Sequence, residues 1–420
     1  MKFSGNPEAL EETEVRILKR LENMQDAIVR LTSELIRIPT VNPPGEGYSE
    51  ICSFLSKRMD EMGLEVEVFQ APESKLKELN LSPPRPIVIG TMKGENPVET
   101  LHLNGHYDVV PPGKDWTTEP FKPTVKNGRL YGRGSSDMKG GIAAMLAAVE
   151  ALKRSGIRLK GSLKLSFVPD EEIGGKTGTG CMAELGLMKG NAALIGEASG
   201  VDRVCVAHKG ALWLEVNVKG EAAHACMAHK AVNAVEKAAK IIVELGRLKE
   251  KFKAKVTKAP MLSGHETPVM NLGGVIRGGV KVNVVPEFCT FTIDRRLIPE
   301  EDVDEAEAEI VNIVEGLKKA DPQLQAEIRR ILHVGAAYTP EREKICRVLV
   351  ETVGKITGRK PQVLGLPVFT DMHYFNQFMP SVIYGPGIVE KAHAADEYIP
   401  VEELVASAKV YATTILNMLA

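Results

Sequence analysis

The sequence predicts an α/β protein: a mostly parallel, mixed sheet flanked by helices, interrupted by an inserted α+β domain of ferredoxin-like order. Three observations predict it. Short apolar strands alternate with Ala- and Leu-rich helical stretches on both sides of the chain's middle, the pattern of a sheet covered on both faces. Between residues 205 and 334 the texture changes to strands with one wet face, in β-α-β-β-α-β order. At 420 residues and 44% hydrophobic content, the chain is long enough for two or three domains and a sizeable core. The expected organisation is 1–204 and 335–420 forming one domain, with 205–334 inserted.

The elements follow in order. Leu18, Leu21, Met24, Ile28, Leu31 and Leu35 recur at three- or four-residue steps and predict one amphipathic helix, stopped by Pro39, Pro43 and Pro44. A second helix is expected over 47–62, then strands over 65–69, Pro86–Met92 and 99–103. Beyond these come a helix over 141–155 and strands over 163–167 and Ala192–Ile195. In the insert, strands are expected at 212–218, 279–285, 289–293 and 328–334, with helices at 232–248 and 303–319. The α/β texture resumes with a helix over 342–357, strands at 362–364 and 382–384, and a helix after Pro400.

Charge excludes some functions. A net charge of −2 argues against nucleic acid or an anionic membrane as partner, since both reward a positive excess. No apolar run approaches the ~20 residues of a membrane span. Met1 to Asn6 lead into a charged segment rather than a signal-peptide core. Cys52, Cys181, Cys205, Cys226, Cys289 and Cys346 are scattered without zinc-knuckle spacing, which reads as six buried thiols in a reducing, cytoplasmic setting.

Five segments carry candidate chemistry. Glu171-Glu172 leave an apolar strand side by side, an arrangement that a divalent metal makes tolerable. His106 and Asp108 are two apart on extended chain and share a side. Asp137 lies in the glycine-rich loop before the Ala-rich helix, Glu197 ends a strand, and His393 follows a glycine-rich turn. Alone, each has a plainer reading: an acidic turn, an incidental His-X-Asp, a helix cap, a strand-end acid, a loop histidine. Together they offer the nitrogen and oxygen donors zinc accepts, in number enough for two ions. Gly175-Lys176-Thr177 resembles a nucleotide loop, but Asp170 stands where the P-loop needs its first glycine.

Gly105-His106-Tyr107-Asp108-Val109-Val110-Pro111, Gly132-Arg133-Gly134-Ser135-Ser136-Asp137-Met138-Lys139-Gly140, Asp170-Glu171-Glu172-Ile173-Gly174-Gly175, Gly196-Glu197 and His393-Ala394-Ala395-Asp396-Glu397 occur in this order. In this the chain resembles the M20 metallopeptidase family, which includes acetylornithine deacetylase, succinyl-diaminopimelate desuccinylase, aminoacylase and glutamate carboxypeptidase. The resemblance implies a site for two Zn²⁺, with Co²⁺ able to substitute. Asp137 would bridge them, His106 and Glu197 would hold one, and Glu172 and His393 the other. Asp108 would support His106, and Glu171 would be the general base and acid for attack of water on an amide.

The resemblance also implies that the insert is a lid and a homodimer contact. His224 would stabilise the oxyanion, and Asn283, Arg295, Gly385 and Gly387 would bind or shape substrate, Arg295 by pairing with a carboxylate. The implied substrate is a small N-acyl amino acid of N-acetylornithine or N-succinyl-diaminopimelate type, with a dipeptidase or carboxypeptidase as alternative. Two departures bear on this. Ala225-Cys226-Met227-Ala228 stands where relatives carry small polar residues and a proline. His208-Lys209-Gly210-Ala211 stands where desuccinylases carry an Arg-Arg-Gly-Ser run.

Overall fold

The computed structural model describes residues 7–96 and 98–420. The segment Met1 to Asn6, read above as no signal peptide, lies outside the described residues. The chain forms two compact units: one comprises the chain up to Val206 with Thr339–Val363 and Thr370–Ala420, the other Ala207–Tyr338 with Leu364–Phe369.

The first unit is built on a mixed sheet. Its order is Glu65–Gln70, Pro86–Met92, Ser162–Val168, Thr100–His106, Ala192–Ile195, Ser381–Ile383, then Arg203–His208. The four strands from Ser162–Val168 to Ser381–Ile383 run parallel, and the pairings on either side are antiparallel. These central strands are buried along nearly their whole length, as the middle of a sheet covered on both faces requires, and the polar residues His102 and Asn104 within them hydrogen-bond to Ser166. Helices Gly140–Arg154 and Val401–Leu419 pack on each other and on Thr100–His106. They are hydrophobic nearly all round, which is why both are buried on most of their faces.

The N-terminal stripe folds as two helices, Pro7–Asn23 and Gln25–Arg37, rather than one. Met24 leaves helical geometry at the junction (φ −91°, ψ 3°). Ile17 and Leu21 are the fully buried apolar residues towards the end of the first helix, whereas Leu18 and Met24 are only half-buried.

The second unit is a four-stranded antiparallel sheet in the order Val269–Gly278, Phe288–Leu297, Gly210–Lys219, Gln325–Val334. Helices Ala234–Phe252 and Val303–Ala320 bury Leu212, Leu214, Val216, Phe291 and Ile293 against Ile241, Leu245, Ile310 and Val314. The strand expected at 279–285 is a loop, and the sheet takes Val269–Gly278 instead. The reason is local. Gly273-Gly274 fall at a register shift between Leu272 and Ile276 and interrupt the apolar alternation. Val280 and Val282 alternate but are 77% and 99% exposed, and among the described residues no strand pairs with them.

All six cysteines are free; Cys226 is exposed and Cys52 half-buried, so the expectation of six buried thiols holds for four. Among the described residues no helix is long and apolar enough to cross a membrane.

Candidate metal centre

Parallel strands bring their carboxyl ends to one edge of the sheet, and loops at that edge converge. His106 is the last residue of Thr100–His106, Glu171-Glu172 follow Ser162–Val168, and Glu197 follows Ala192–Ile195. Asp137 lies in the turn Ser135–Lys139 that starts helix Gly140–Arg154, and His393 in the loop after Ser381–Ile383.

These side chains form two groups that share one residue. His106, Asp137 and Glu197 make the first, and Asp137, Glu172 and His393 the second; the donor atoms of each lie within 4.8 Å of one another. Asp137 divides its oxygens between them. Oδ1 is 3.0 Å from His106 Nε2, and Oδ2 is 3.2 Å from His393 Nε2. Glu197 Oε1 is 3.2 Å from His106 Nε2, and Glu172 Oε2 3.0 Å from His393 Nε2. Both imidazoles therefore aim Nε2 inward. His106 Nδ1 is 3.0 Å from the Asp108 carbonyl oxygen, an acceptor only, which fixes a proton there and leaves Nε2 as the nitrogen that could hold a metal.

Asp108 lies behind the pair of glutamates. Its Oδ1 accepts from Glu171 N at 3.2 Å and its Oδ2 from Glu172 N at 3.3 Å. Asn42, which the sequence reading passed over, donates to Asp108 Oδ2 at 2.9 Å and to Asp170 Oδ1 at 3.0 Å. Asp170 is also paired with buried Arg85 and accepts from Tyr48 at 2.9 Å. Removing one partner of such a buried pair costs about 3–5 kcal/mol, so this network fixes the acidic turn firmly. Glycine is required at Gly385: a Cβ there would lie 2.3 Å from Gly196 O and 2.5 Å from Glu197 O. Gly385, expected to shape a substrate loop, packs on the backbone that presents Glu197. Gly387, at φ +111°, would likewise drive a Cβ into Ser136 at 2.9 Å, beside Asp137.

The donor set fits divalent cations. Each group offers one imidazole and two carboxylates, and Glu172 Oε1 is buried without a hydrogen-bond partner. Burial and then Asp137 push Glu172 up to about 7, and burial also raises Glu197. Hydrogen bonds to Asp137 and Glu172 raise His393 to about 10. Burial opposes protonation of His106, but Glu197, Asp108 and Asp137 outweigh it and hold it well above the usual histidine range. A metal ion must displace these protons. Metal affinity should therefore rise with pH from below 7 towards about 10, where His393 loses its proton, by about tenfold per pH unit for each proton released. Calorimetric metal titrations in two buffers of different ionisation enthalpy measure the release; a pH-independent affinity would contradict it.

Glu171 belongs to neither group. It is buried, and burial first, then Glu197, Asp371 and Glu172, raise its proton affinity well above the ordinary carboxyl value although His106 opposes them.

In the second unit, His224 opens the turn Ala225–Lys230 and is exposed, with Nδ1 3.1 Å from Cys226 Sγ. It lies next to Asn283, since His224 bridges Val284 and Ala225 N donates to Asn283 O at 3.0 Å. The expectation for Arg295 needs correction. It is fully buried on the helix-covered face of the sheet, where Glu301 (2.9 Å) and Glu309 (2.7 Å) hold it and Phe252 packs on it. It is the ordinary ion pair, not a free fork for a carboxylate. Arg296, one residue on and therefore on the opposite face, is partly exposed between Trp213 and Phe369, 6.0 Å from each ring. The signal was present in the sequence: Cys289, Phe291, Ile293 and Leu297 alternate in phase with Arg295.

Comparison with known proteins bears on this site. The chain is 28% identical over 423 residues to N-formyl-4-amino-5-aminomethyl-2-methylpyrimidine deformylase of Bacillus subtilis, covering 95% of this chain and 96% of that one. It is 31% identical over 322 residues to acetylornithine deacetylase of Myxococcus xanthus, covering 76% and 80%. The fold matches an M20 family metallo-carboxypeptidase from Sulfolobus solfataricus with TM-score 0.76 and 20% identity, over 93% of this chain and 98% of that one. Residues 102–417, which hold all five segments of candidate ligands, match Peptidase family M20/M25/M40, and the chain belongs to that family.

Proposed function

We propose that this hydrolase removes the acyl group from a small N-acyl amine or N-acyl amino acid, with Glu171 moving the proton. The observation that carries the reading is the buried carboxyl of Glu171 beside two ligand groups and outside both. His106, Asp137 and Glu197 would hold one divalent ion, and Asp137, Glu172 and His393 another; the donors suit zinc. Bound ions would supply a Lewis acid that polarises the amide carbonyl and makes water acidic. Glu171 accepts a proton from the attacking water as the C–O bond forms, then gives it to the amine nitrogen as the C–N bond breaks. Asp108 holds the backbone of Glu171 and Glu172 so that one glutamate faces the ions and its neighbour stays free. His224 is the candidate donor to the oxyanion.

Acyl removal is preferred to peptide cleavage because the deformylase and the deacetylase align over most of this chain. The metallo-carboxypeptidase likeness is one of fold and supports the alternative, a dipeptidase or carboxypeptidase. A panel of N-acetylornithine, N-succinyl-diaminopimelate, an N-formyl amine and unblocked dipeptides separates the two. The expected result is turnover of at least one N-acyl amine and none of the dipeptides. Preferential hydrolysis of the dipeptides would replace this reading with the peptidase one. Of the N-acyl substrates, N-succinyl-diaminopimelate is the least favoured. Lys209, in the segment that departs from the desuccinylase pattern, is buried and donates to Thr267 O at 2.6 Å.

A further inference from the structure

Two of the motifs around the metal ligands contain a charged residue without a role in the chemistry above: Arg133 beside Asp137, and Glu397 beside His393. Both are fully buried. Glu397 Oε2 accepts from Arg133 Nη1 at 2.7 Å and from Gly134 N at 3.1 Å; Oε1 accepts from Ser136 N at 2.8 Å and from Asp137 N at 3.1 Å. Three backbone N–H groups from four consecutive residues thus close around one carboxylate, the geometry of an anion-binding nest. The nest needs Gly134 in the left-handed region (φ +86°) to turn the chain. The backbone closes the same contact, since Gly132 N donates to Glu397 O at 2.9 Å.

Arg133 extends the clamp to the other ligand. Its Nη2 donates to His393 O at 3.4 Å and to Pro112 O at 3.2 Å, and its guanidinium stacks 5.2 Å over Trp116. The His393 imidazole meets Asp137 and Glu172, but its side chain is 55% exposed and its backbone is left-handed at φ +62°. Two of the three donors of the Asp137–Glu172–His393 group are therefore suspended from one ion pair. The third, Glu172, is anchored separately through Asp108. The other group depends on the clamp only through Asp137, because His106 and Glu197 sit at strand ends.

An ion pair kept for stability alone needs one partner for each charge. This carboxylate takes four donors, all from the loop that carries the shared ligand and three of them backbone N–H groups. We propose that Glu397, clamped by Arg133, is the positioning residue of the Asp137–Glu172–His393 metal position, a role that rests on the metal-site reading above. Because Arg133 neutralises Glu397, the pair acts on a bound cation through geometry and not through its field.

The test is a chelator-competition titration of folded, metal-free protein with Zn²⁺, with the visible spectrum of the Co²⁺ form as a second readout. Glu397→Gln should weaken one of two binding positions by about 10–100-fold, as loss of a supporting hydrogen bond to a ligand typically does, and change the Co²⁺ spectrum of that position. The other position should shift less. The double variant Arg133→Met/Glu397→Gln removes both charges and should stay weak. Recovery of wild-type affinity in it would mean that the unpaired Arg133 charge alone caused the effect, and the proposal would fall. Wild-type affinity in Glu397→Gln would also overturn it. If Glu397→Gln does not fold, Arg133→Lys decides. It keeps the charge but loses the fork that reaches His393 O, so the same position should weaken, and unchanged binding would reject the clamp. A wild-type protein that takes up no metal would remove the underlying reading itself, an outcome distinct from all of these.

Discussion

Glu171→Gln should lose kcat by a factor of about 10²–10⁴, the contribution of a positioned general base, while keeping its metal. Glutamine matches glutamate in shape but accepts no proton at working pH. Glu171 supplies no atom to either ligand group, so the substitution leaves both donor sets intact. Its effect on stability has a definite sign. Burial raises the carboxyl's folded pKa well above the ordinary value. The charged form therefore costs stability in the metal-free protein at every pH above the unfolded pKa, and that cost vanishes as pH falls below it. Removing the charge should leave the metal-free melting temperature equal or higher at neutral pH. Glu172→Gln must behave differently, because Glu172 Oε2 faces His393 Nε2 at 3.0 Å. It should lose metal first and activity as a consequence. Steady-state kinetics with elemental analysis of each variant separates the two; a Glu171→Gln enzyme as active as wild type would end the general-base assignment.

Why these roles were legible in the sequence, and others were not, has a physical basis. His106, Glu171, Glu172 and Glu197 each terminate or follow a short, mostly buried strand. In a parallel sheet, strand ends meet at one edge, so residues distant in sequence become neighbours by topology alone. The paired glutamates could be told apart only in three dimensions. Both backbone N–H groups bind Asp108, yet one side chain reaches His393 and its neighbour reaches neither ligand group. The charge of Arg295 suggests a carboxylate ligand, but the alternation of Phe291, Ile293 and Leu297 places it under the helices. Val269–Gly278 was hidden by two glycines at a bulge, where a strand keeps its hydrogen bonds but loses its pattern. Asn42 and Arg85 carry no local signature, and the motif that contains Glu397 does not say what it holds. Their partners lie 66, 85 and 264 residues away, and only the folded chain shows what they hold.

Asp137→Ala should abolish activity and metal binding at both positions, a larger lesion than loss of any other single ligand. The argument is stoichiometric. Glu197 or Glu172 removes one donor from one group, whereas Asp137 contributes Oδ1 to the first group and Oδ2 to the second. Each group falls from three protein donors to two, fewer than the three that catalytic zinc sites use. Glu197→Ala and Glu172→Ala should each retain metal at the unaffected position. Stability gives a second readout. Burial alone would raise the Asp137 carboxyl, but hydrogen bonds to His106 and His393 overcome it and hold it far below the ordinary range. The ionised group therefore stabilises the metal-free fold above the unfolded carboxyl pKa, a contribution lost as pH falls through the depressed folded value. Metal-free Asp137→Ala should melt below metal-free wild type at neutral pH. Bound metal adds a separate term, about 2.7 kcal/mol per site when free metal is a hundredfold above Kd. Wild type should thus melt lower after chelation and regain both stability and activity with Zn²⁺ or Co²⁺. Asp137→Ala should respond to neither treatment. Two ions per chain in that variant, counted by elemental analysis, would show that the two groups are not joined through Asp137.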